Sequence, residues 1–176
     1  MRPFAAADLD DLAALHGDPQ VMRFIDAPVP RAVVERETLP GILRSYAQLP
    51  AGQGVFAAVA DDGTFVGQGS LGPVTSRGLV ADGLELGYRI VRARWGRGFA
   101  TQIARMLVRR AFVDLGATRV VATTMAVNIG SRRVLERSGL RWVRTFHLDW
   151  PDPLPGSEHG EVEYALSRRR DPMAGA

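Results

Sequence analysis

Two glycines and three arginines stand close together in one short segment of the chain. The segment runs Arg92-Ala93-Arg94-Trp95-Gly96-Arg97-Gly98 and is followed by apolar residues at helical spacing. Glycines let a backbone approach an anion without a Cβ in the way, and the first N–H groups of a helix attract negative charge. Arginine adds planar forks that suit phosphate and carboxylate. The segment therefore predicts a phosphate-binding loop at the start of a helix.

Neither of two familiar phosphate-binding patterns fits this segment. A nucleotide P-loop needs a lysine, and all 22 basic residues of the chain are arginine. The dinucleotide pattern needs a third glycine, but Gly96-x-Gly98-x-x-Thr101 has threonine in that place. The lack of lysine and cysteine also excludes lysine-based covalent catalysis, cysteine nucleophiles, thiolate metal sites and disulfide bonds.

The positive charge is concentrated in the middle of the chain. Residues 1–88 carry 6 arginines and 11 acids, residues 89–144 carry 13 and 2, and residues 145–176 carry 3 and 6. A strongly basic segment between two acidic ones indicates a bound polyanion, and both nucleic acid and a phosphate-rich cofactor fit. Alternatively, the arginines reflect biased amino-acid usage on a solvated face.

The composition is that of one globular domain. The chain has 176 residues, 46% of them hydrophobic and 23% charged, which is enough for one core and short for two. Its longest uninterrupted apolar run, Val55–Ala60, is far too short to span a membrane. Acids at Asp8, Asp10 and Asp11 stand where a signal peptide needs apolar residues, so we expect a cytoplasmic protein. The three histidines show no metal-ligand spacing, and no metal is expected.

Hydrophobic periodicity predicts the elements that must position the loop. The predicted helices are a capped helix from Asp8 to Gly17, a stretch from Arg31 to Gln48 that Pro40 kinks or splits, a long helix from Phe99 to Gly116, and a short helix at Ser131–Ser138. The predicted strands are Val55–Ala60 and Thr64–Leu71, joined as a hairpin, then Leu84–Val91, Thr118–Ala126, Leu140–Trp150 and Glu161–Leu166. This order predicts an α/β or α+β sheet domain rather than a regular doubly wound fold.

Four sequence blocks occur in a fixed order. They are Glu85-Leu86-Gly87-Tyr88, Trp95-Gly96-Arg97-Gly98-Phe99-Ala100-Thr101, Asn128-x-x-Ser131 and Val134-Leu135-Glu136-Arg137-Ser138-Gly139-Leu140. With these blocks the chain resembles the GNAT superfamily of acyl-CoA-dependent N-acetyltransferases. The early segment Asp18–Ile25 is similar to the Rim-type branch, named for enzymes that acetylate the N-termini of ribosomal proteins. The resemblance covers roughly residues 2–166.

The resemblance implies one acyl-CoA N-acyltransferase domain over residues 1–167. Its expected fold is a mixed, mostly antiparallel sheet with splayed central strands, flanked by helices. Residues 168–176 form a basic tail that we expect to be frayed.

The resemblance also implies acetyl-CoA as cosubstrate. The pyrophosphate of coenzyme A would lie on the N–H groups from Arg97 to Thr101, and the pantetheine arm would extend between the strands Leu84–Val91 and Thr118–Ala126. Asn128 would bond the pantetheine amides, and either Arg132 or Arg133 would meet an adenosine phosphate. The residues expected to bind the cosubstrate are Leu86, Tyr88, Arg92, Arg94, Trp95, Gly96, Arg97, Gly98, Phe99, Ala100, Thr101, Asn128 and Arg133.

Direct transfer of an acetyl group to a primary amine requires two proton movements. Glu85 is the expected base, through water, and Ser131 the expected acid for the leaving thiol. The alternative for Glu85 is an ordinary surface glutamate, and for Ser131 a helix N-cap. Two residues depart from the superfamily: Trp95 replaces the Gln or Arg that opens the phosphate loop, and Leu135 replaces a tyrosine that often supplies the acid.

The acceptor is expected at the loops around Phe24–Pro30 and Pro151–Gly160. Acids on or beside these loops would draw in a cationic amine, either a protein N-terminus or a small molecule. They are Asp26, Asp149, Asp152, Glu158 and Glu161. No membrane or nucleic-acid partner is expected, and a homodimer is left open. Two other functions remain: a non-catalytic acyl-CoA-binding or regulatory domain, and an RNA-binding domain that uses the arginine-rich segment.

Overall fold

The computed structural model describes residues 1–79 and 82–168, and a seven-stranded sheet runs through it. The strands are β1 (Arg2–Pro3), β2 (Gly54–Val59), β3 (Phe65–Pro73), β4 (Leu84–Ile90), β5 (Arg119–Met125), β6 (Arg141–Phe146) and β7 (Glu161–Ser167). They lie in the order β1-β2-β3-β4-β5-β7-β6, and each neighbouring pair is antiparallel except β4 with β5. The expected mixed, mostly antiparallel sheet is confirmed.

Helices cover both faces of the sheet, because alternate side chains of a strand point to opposite sides. The helices are α1 (Leu9–Gly17), α2 (Pro19–Met22), α3 (Arg31–Val33), α4 (Leu39–Gln48), α5 (Phe99–Arg109) and α6 (Ile129–Arg137). Ala57 and Phe65 belong to a buried cluster with residues of α1 and α4, whereas their neighbours Ala58 and Val66 belong to a cluster with residues of α5 and α6. The first four helices therefore cover one face, and the last two cover the other.

Strands β4 and β5 pair over two residues and then separate. Leu84 lies opposite Val120 and Glu85 opposite Val121, and these two pairs make up the whole ladder between the strands. Regular parallel strands bond evenly along their length. Beyond Glu85 the two strands therefore leave backbone groups facing a gap, as the expected splay requires.

The stretch that contains Pro40 was predicted to kink or split there; it does not split, because the helical backbone continues from Arg31 to Gln48. Between α3 and α4, residues Val34–Thr38 form a wider π-helical turn. Pro40 is the second residue of α4. Proline lacks an N–H and its ring clashes with the carbonyl one turn earlier, and the wider turn at that place accommodates both effects.

Three boundaries in the second half differ from the predictions. Helix α5, predicted to reach Gly116, ends at Arg109 and is followed by a π-helical turn over Arg110–Asp114. Helix α6 begins at Ile129 rather than Ser131, because Asn128 caps it. Strand β6 ends at Phe146 rather than Trp150, because Phe146 pairs with Glu161, which is the first residue of β7. The chain after Phe146 consequently has no strand to pair with.

The C-terminal tail is described only at its first residue. The Arg168 N–H donates to the Thr118 carbonyl at 2.8 Å, which continues the pairing of β5 with β7. The rest of the predicted tail, residues 169–176, lies outside the described residues. Across the described part of the chain, no helix has the length and apolar character needed to cross a bilayer.

Candidate active site

A cleft of about 1050 Å³ lies where β4 and β5 separate. Leu86 and Tyr88 line it from the face covered by α5, and Glu85 and Arg89 line it from the face covered by α1. The starts of α5 and α6 and the loop after β3 complete its walls. The cleft therefore reaches both faces of the sheet.

The glycine-rich loop predicted to bind phosphate opens onto this cleft. Gly96 has a φ of 73° and Gly98, the N-cap of α5, a φ of 84°, values that residues with side chains rarely adopt. Gly98 has no side chain to cap the helix, so the first N–H groups of α5 can bind an outside acceptor. This arrangement fits a phosphate group at the helix N-terminus.

Trp95 fixes the loop that leads into α5. Its indole N–H donates to the Ile90 carbonyl at 2.8 Å, which ties the loop to the end of β4. The side chain also lines the cleft. At the position where the superfamily has Gln or Arg, this chain thus has a residue that holds the glycines in place.

Asn128 is the N-cap of α6, a role that the sequence had suggested for Ser131. The side-chain oxygen of Asn128 accepts the Ser131 N–H at 3.1 Å. Ser131 is therefore the third residue of the helix, and the N-cap interpretation of Ser131 is wrong. The NH₂ group of Asn128 forms no hydrogen bond to the described residues and can donate to an amide carbonyl in the cleft.

The hydroxyls of Tyr88 and Ser131 meet at the cleft wall. Tyr88 donates to the Ser131 backbone carbonyl at 3.0 Å, and the two hydroxyl oxygens lie 2.9 Å apart. Burial raises the pKa of Tyr88 to about 12, so the phenol keeps its proton near neutral pH. Leu135, which replaces the superfamily tyrosine, is apolar and buried. On this wall of the cleft, the side chains of Tyr88 and Ser131 therefore carry the hydroxyl groups that could donate a proton, and Leu135 cannot.

The carboxylate of Glu85 is held by the loop after β3. One oxygen accepts the backbone N–H groups of Thr75 at 3.0 Å and Ser76 at 3.1 Å, and the other bonds the Ser76 hydroxyl. The side chain still lines the cleft. These bonds fix its orientation and leave one of its lone-pair positions for a water or an amine.

Most residues that the resemblance indicated line the cleft. They are Glu85, Leu86, Tyr88, Arg94, Trp95, Gly96, Gly98, Phe99, Ala100, Thr101, Asn128 and Ser131. Arg92, Arg97 and Arg133 do not line it and are exposed to solvent. Arg132 is held in the fold, because its guanidinium donates to the Ala126 carbonyl at 3.0 Å.

The predicted group of acids at the acceptor side does not form around the cleft. Of Asp26, Asp149, Asp152, Glu158 and Glu161, Glu161 alone lines it, and burial raises the pKa of this carboxyl. Four other residues in or near the expected acceptor loops line the cleft, and they are apolar. They are Phe24, Ile25, Leu148 and Trp150.

Sequence reasoning missed a polar cluster on the α1 side of the cleft. His16 Nε2 lies 3.0 Å from Gln68 Oε1, and Arg89 Nη1 lies 3.2 Å from His16 Nδ1. Gln68 and Arg89 are opposite each other on β3 and β4, and both line the cleft. His16 is 52 residues from Gln68, so no local spacing links them. The one signal in the sequence is the alternation of β4, which places Arg89 on the same face as Glu85.

The arginines of the basic segment serve two purposes. Arg119 and Arg144 stabilise the fold, because both pair with the buried Glu163, at 2.9 and 2.8 Å. Others face the cleft. They are Arg89, Arg94 and Arg137. The excess of positive charge in residues 89–144 is thus explained only in part by ligand binding.

Residues 1–141 match the family described as an acetyltransferase (GNAT) domain. This match covers most of the chain and includes all four sequence blocks, the last of which ends at Leu140. The chain belongs to the GNAT acetyltransferase family, as its motifs and its splayed sheet indicated.

A curated relative is the FsC-acetyl coenzyme A-N(2)-transacetylase of Aspergillus fumigatus. It is 36% identical to this chain over 155 residues, which cover 86% of the chain and 66% of the fungal protein. Two relatives from Bacillus subtilis are matched over 60% and 30% of their lengths. The chain thus spans two thirds or less of these relatives.

Solved structures support the fold and the expected branch. RimJ of Mycobacterium smegmatis, in complex with CoA-disulfide, is 26% identical with a TM-score of 0.72, covering 97% of this chain and 82% of that one. The aminoglycoside acetyltransferase AAC(6')-Ib, solved with coenzyme A and kanamycin, is 19% identical with a TM-score of 0.72, covering 95% and 93%. The second likeness supports the fold alone.

Proposed function

We propose that the protein transfers an acetyl group from acetyl-CoA to a primary amine by direct attack. The observation that carries this proposal is the gap between β4 and β5, onto which the uncapped start of α5 opens. The N–H groups from Arg97 to Thr101 would hold the pyrophosphate, and the unpaired edges of the two strands and Asn128 would bond the pantetheine amides. The names of the relatives, several of which refer to coenzyme A, support the same ligand.

Acetyl-CoA would supply an activated acetyl thioester. A C–N bond forms between the amine and the acetyl carbon while the C–S bond breaks, so the nitrogen loses a proton and the sulfur gains one. Glu85 accepts the first proton through its remaining lone-pair position, and Ser131, bonded to Tyr88, delivers the second. Such positioned groups typically contribute about 10²–10⁴-fold each. The described residues hold no group of three metal-binding side chains, and this chemistry requires none.

The acceptor approaches from the face of the sheet opposite α5. Arg89 and Gln68 line the cleft on that face, together with Gln20 and Val21 of α2. Both a small-molecule amine and an extended peptide N-terminus are compatible with this approach. The proposed acceptor class is therefore a primary amine of either kind.

A second candidate function is a non-catalytic acyl-CoA-binding domain. Two observations favour it: Glu85 is engaged by Thr75 and Ser76, and Leu135 has replaced the superfamily tyrosine. Both functions predict that acetyl-CoA raises the melting temperature while ATP and NAD at equal concentration do not.

Thiol release from acetyl-CoA in the presence of mixed amines separates the two functions. We expect steady release that depends on the amine and continues through many turnovers. Stabilisation by acetyl-CoA without release for any amine would favour the binding domain. Equal stabilisation by NAD would contradict both.

A further inference from the structure

Arg89 places a positive charge on the cleft wall that faces α1. In residues 1–79 and 82–168 it forms no ion pair with an aspartate or glutamate. Burial lowers the pKa of Arg89, and the more distant Asp26 opposes this effect. Arginine nevertheless stays charged at working pH. A largely desolvated cation without a counter-ion is costly unless a ligand supplies one.

His16, which is itself bonded to Gln68, contacts the guanidinium of Arg89 without neutralising it. Burial lowers the pKa of His16, so the imidazole is neutral. With the proton on Nε2, His16 donates to Gln68 Oε1 at 3.0 Å, and Arg89 Nη1 lies against the imidazole, 3.1 Å from Nε2 and 3.2 Å from Nδ1. The ring thus contacts both neighbours and carries no charge that could pair with the guanidinium. The remaining N–H donors of Arg89 have no hydrogen-bond partner among the described residues.

The stretch of β4 between Glu85 and Arg89 lines the cleft. Both residues lie on the same face of β4, with Gly87 midway between them. Gly87 has no side chain, and the Ser70 hydroxyl, which would lie 2.7 Å from a Cβ at that position, borders this part of the wall as a polar group. At the usual rise of a strand, the Cα atoms of Glu85 and Arg89 lie about 13 Å apart. Their long side chains can reach toward each other, so the carboxylate and the guanidinium can lie closer together than the Cα atoms.

We propose that Arg89 binds a carboxylate of the acceptor, while the acceptor's amine points toward Glu85. This inference rests on the proposed acetyl transfer and names the substrate class. The planar fork of a guanidinium fits a carboxylate with two parallel hydrogen bonds. The acceptor is then an amino acid, or a peptide with an acidic side chain beside its N-terminus. A polyamine would bring positive charge against Arg89 and is disfavoured.

The test compares each carboxylate with its uncharged amide. The probes are glycine, β-alanine, 4-aminobutyrate, 5-aminopentanoate and the common L-amino acids, each beside its carboxamide, at saturating acetyl-CoA. Two amidated peptides, identical except for Glu or Gln at the second position, test whether the carboxylate can come from a side chain beside a peptide N-terminus. We expect kcat/KM to favour the carboxylate member of the best pair by about 100-fold or more, because its absence leaves Arg89 unpaired. Equal rates for acid and amide in every pair would overturn the proposal.

Variants of Arg89 then assign the preference to this residue. In Arg89→Gln the preference of the best pair should fall to within about threefold, and Arg89→Lys should keep part of it because the charge remains. Arg141→Gln is the matched control, since Arg141 is exposed on β6 outside the cleft. Unchanged discrimination in Arg89→Gln, with the acetyl-CoA affinity of the wild type, would overturn the proposal.

A binding measurement keeps this inference separate from the proposed function. The same acids and amides are titrated by calorimetry into the wild-type protein saturated with coenzyme A, which allows no transfer. We expect the best acid to bind and its amide to bind at least about 10-fold more weakly. If no amine is acetylated but the acid binds selectively, the transferase proposal fails and the Arg89 proposal stands. If amines are acetylated but acids and amides bind alike, the Arg89 proposal fails alone.

Discussion

The hydroxyl oxygens of Tyr88 and Ser131 lie 2.9 Å apart and join β4 to the first turn of α6 beside the cleft. Tyr88 also donates its only hydroxyl proton to the Ser131 backbone carbonyl at 3.0 Å. While Tyr88 donates to that carbonyl, the Ser131 hydroxyl can donate to the Tyr88 oxygen. A thiolate that forms nearby is a stronger acceptor than a neutral phenol, so the Ser131 hydroxyl can donate to it and pass its proton to the sulfur, and a water in the open cleft returns a proton to the serine oxygen.

Replacement of Ser131 by alanine should slow the chemical step. We expect the single-turnover rate of Ser131→Ala to fall about 10–100-fold, with acetyl-CoA affinity unchanged, because only the proton donor is lost. The helix keeps its cap, since Asn128 supplies it. Asn128→Ala is the structural control and should lose about 0.5–2 kcal/mol of stability. A wild-type rate in folded Ser131→Ala would rule out the donor role.

Replacement of Gly98 by aspartate should abolish cosubstrate binding. The new carboxylate would stand where the pyrophosphate is expected and repel it, so acetyl-CoA affinity should fall about 100-fold or more. Gly63→Asp is a matched control, because Gly63 and Gly98 have φ of 80° and 84° and both have open space around a built Cβ. Calorimetry should show normal acetyl-CoA binding by Gly63→Asp. Unaltered affinity in Gly98→Asp would move the phosphate site elsewhere.

Replacement of Glu85 by glutamine should separate its chemical role from its contacts. Glutamine keeps an oxygen for the N–H groups of Thr75 and Ser76 but cannot take a proton. We expect kcat to fall about 100-fold in Glu85→Gln, with little change in melting temperature. Ser76→Ala removes one partner of the carboxylate and should retain more than about a tenth of wild-type kcat. If Glu85→Gln keeps full activity, another group is the base.

The sequence was sufficient for most of the fold. Alternation in β4 and helical spacing after Gly98 predicted the strand, the loop and the helix that build one side of the cleft, because these signals lie within short segments. Pro40 shows the limit: the effect of proline on a helix was known, but no pattern in the sequence predicted the π-helical turn over Val34–Thr38 that accommodates it.

The candidate site was predicted only where its residues lie within one short segment of the chain. The residues of the phosphate loop were found because a motif orders them along the chain. The network of His16, Gln68 and Arg89 was not, because strand pairing and helix packing bring these residues together from distant positions. The cap of α6 was assigned to Ser131 instead of Asn128, three residues earlier, because both residue types favour that position.

Protonation of the buried His16 should destabilise the protein in mild acid. Its pKa is lowered by burial, so the unfolded chain binds the proton more readily, and stability is full above the unfolded pKa of about 6.5 and falls below it. The loss should approach at most about 1.4 kcal/mol per pH unit. Urea unfolding between about pH 7.5 and about pH 5.5, the range on either side of the unfolded pKa, should show this slope for the wild type and a flatter one for His16→Gln. Parallel slopes would contradict it.

The most direct test of the acetyl-transfer account is the stoichiometry of one reaction. Purified protein, acetyl-CoA and the amine panel are incubated together, and coenzyme A thiol and acetylated amine are quantified in the same sample by mass spectrometry, with Gly98→Asp as the blank. The account predicts one N-acetylated amine for each thiol released, and neither product above background in the blank. Thiol release without any acetylated amine, or acetyl groups found on hydroxyls alone, would contradict it.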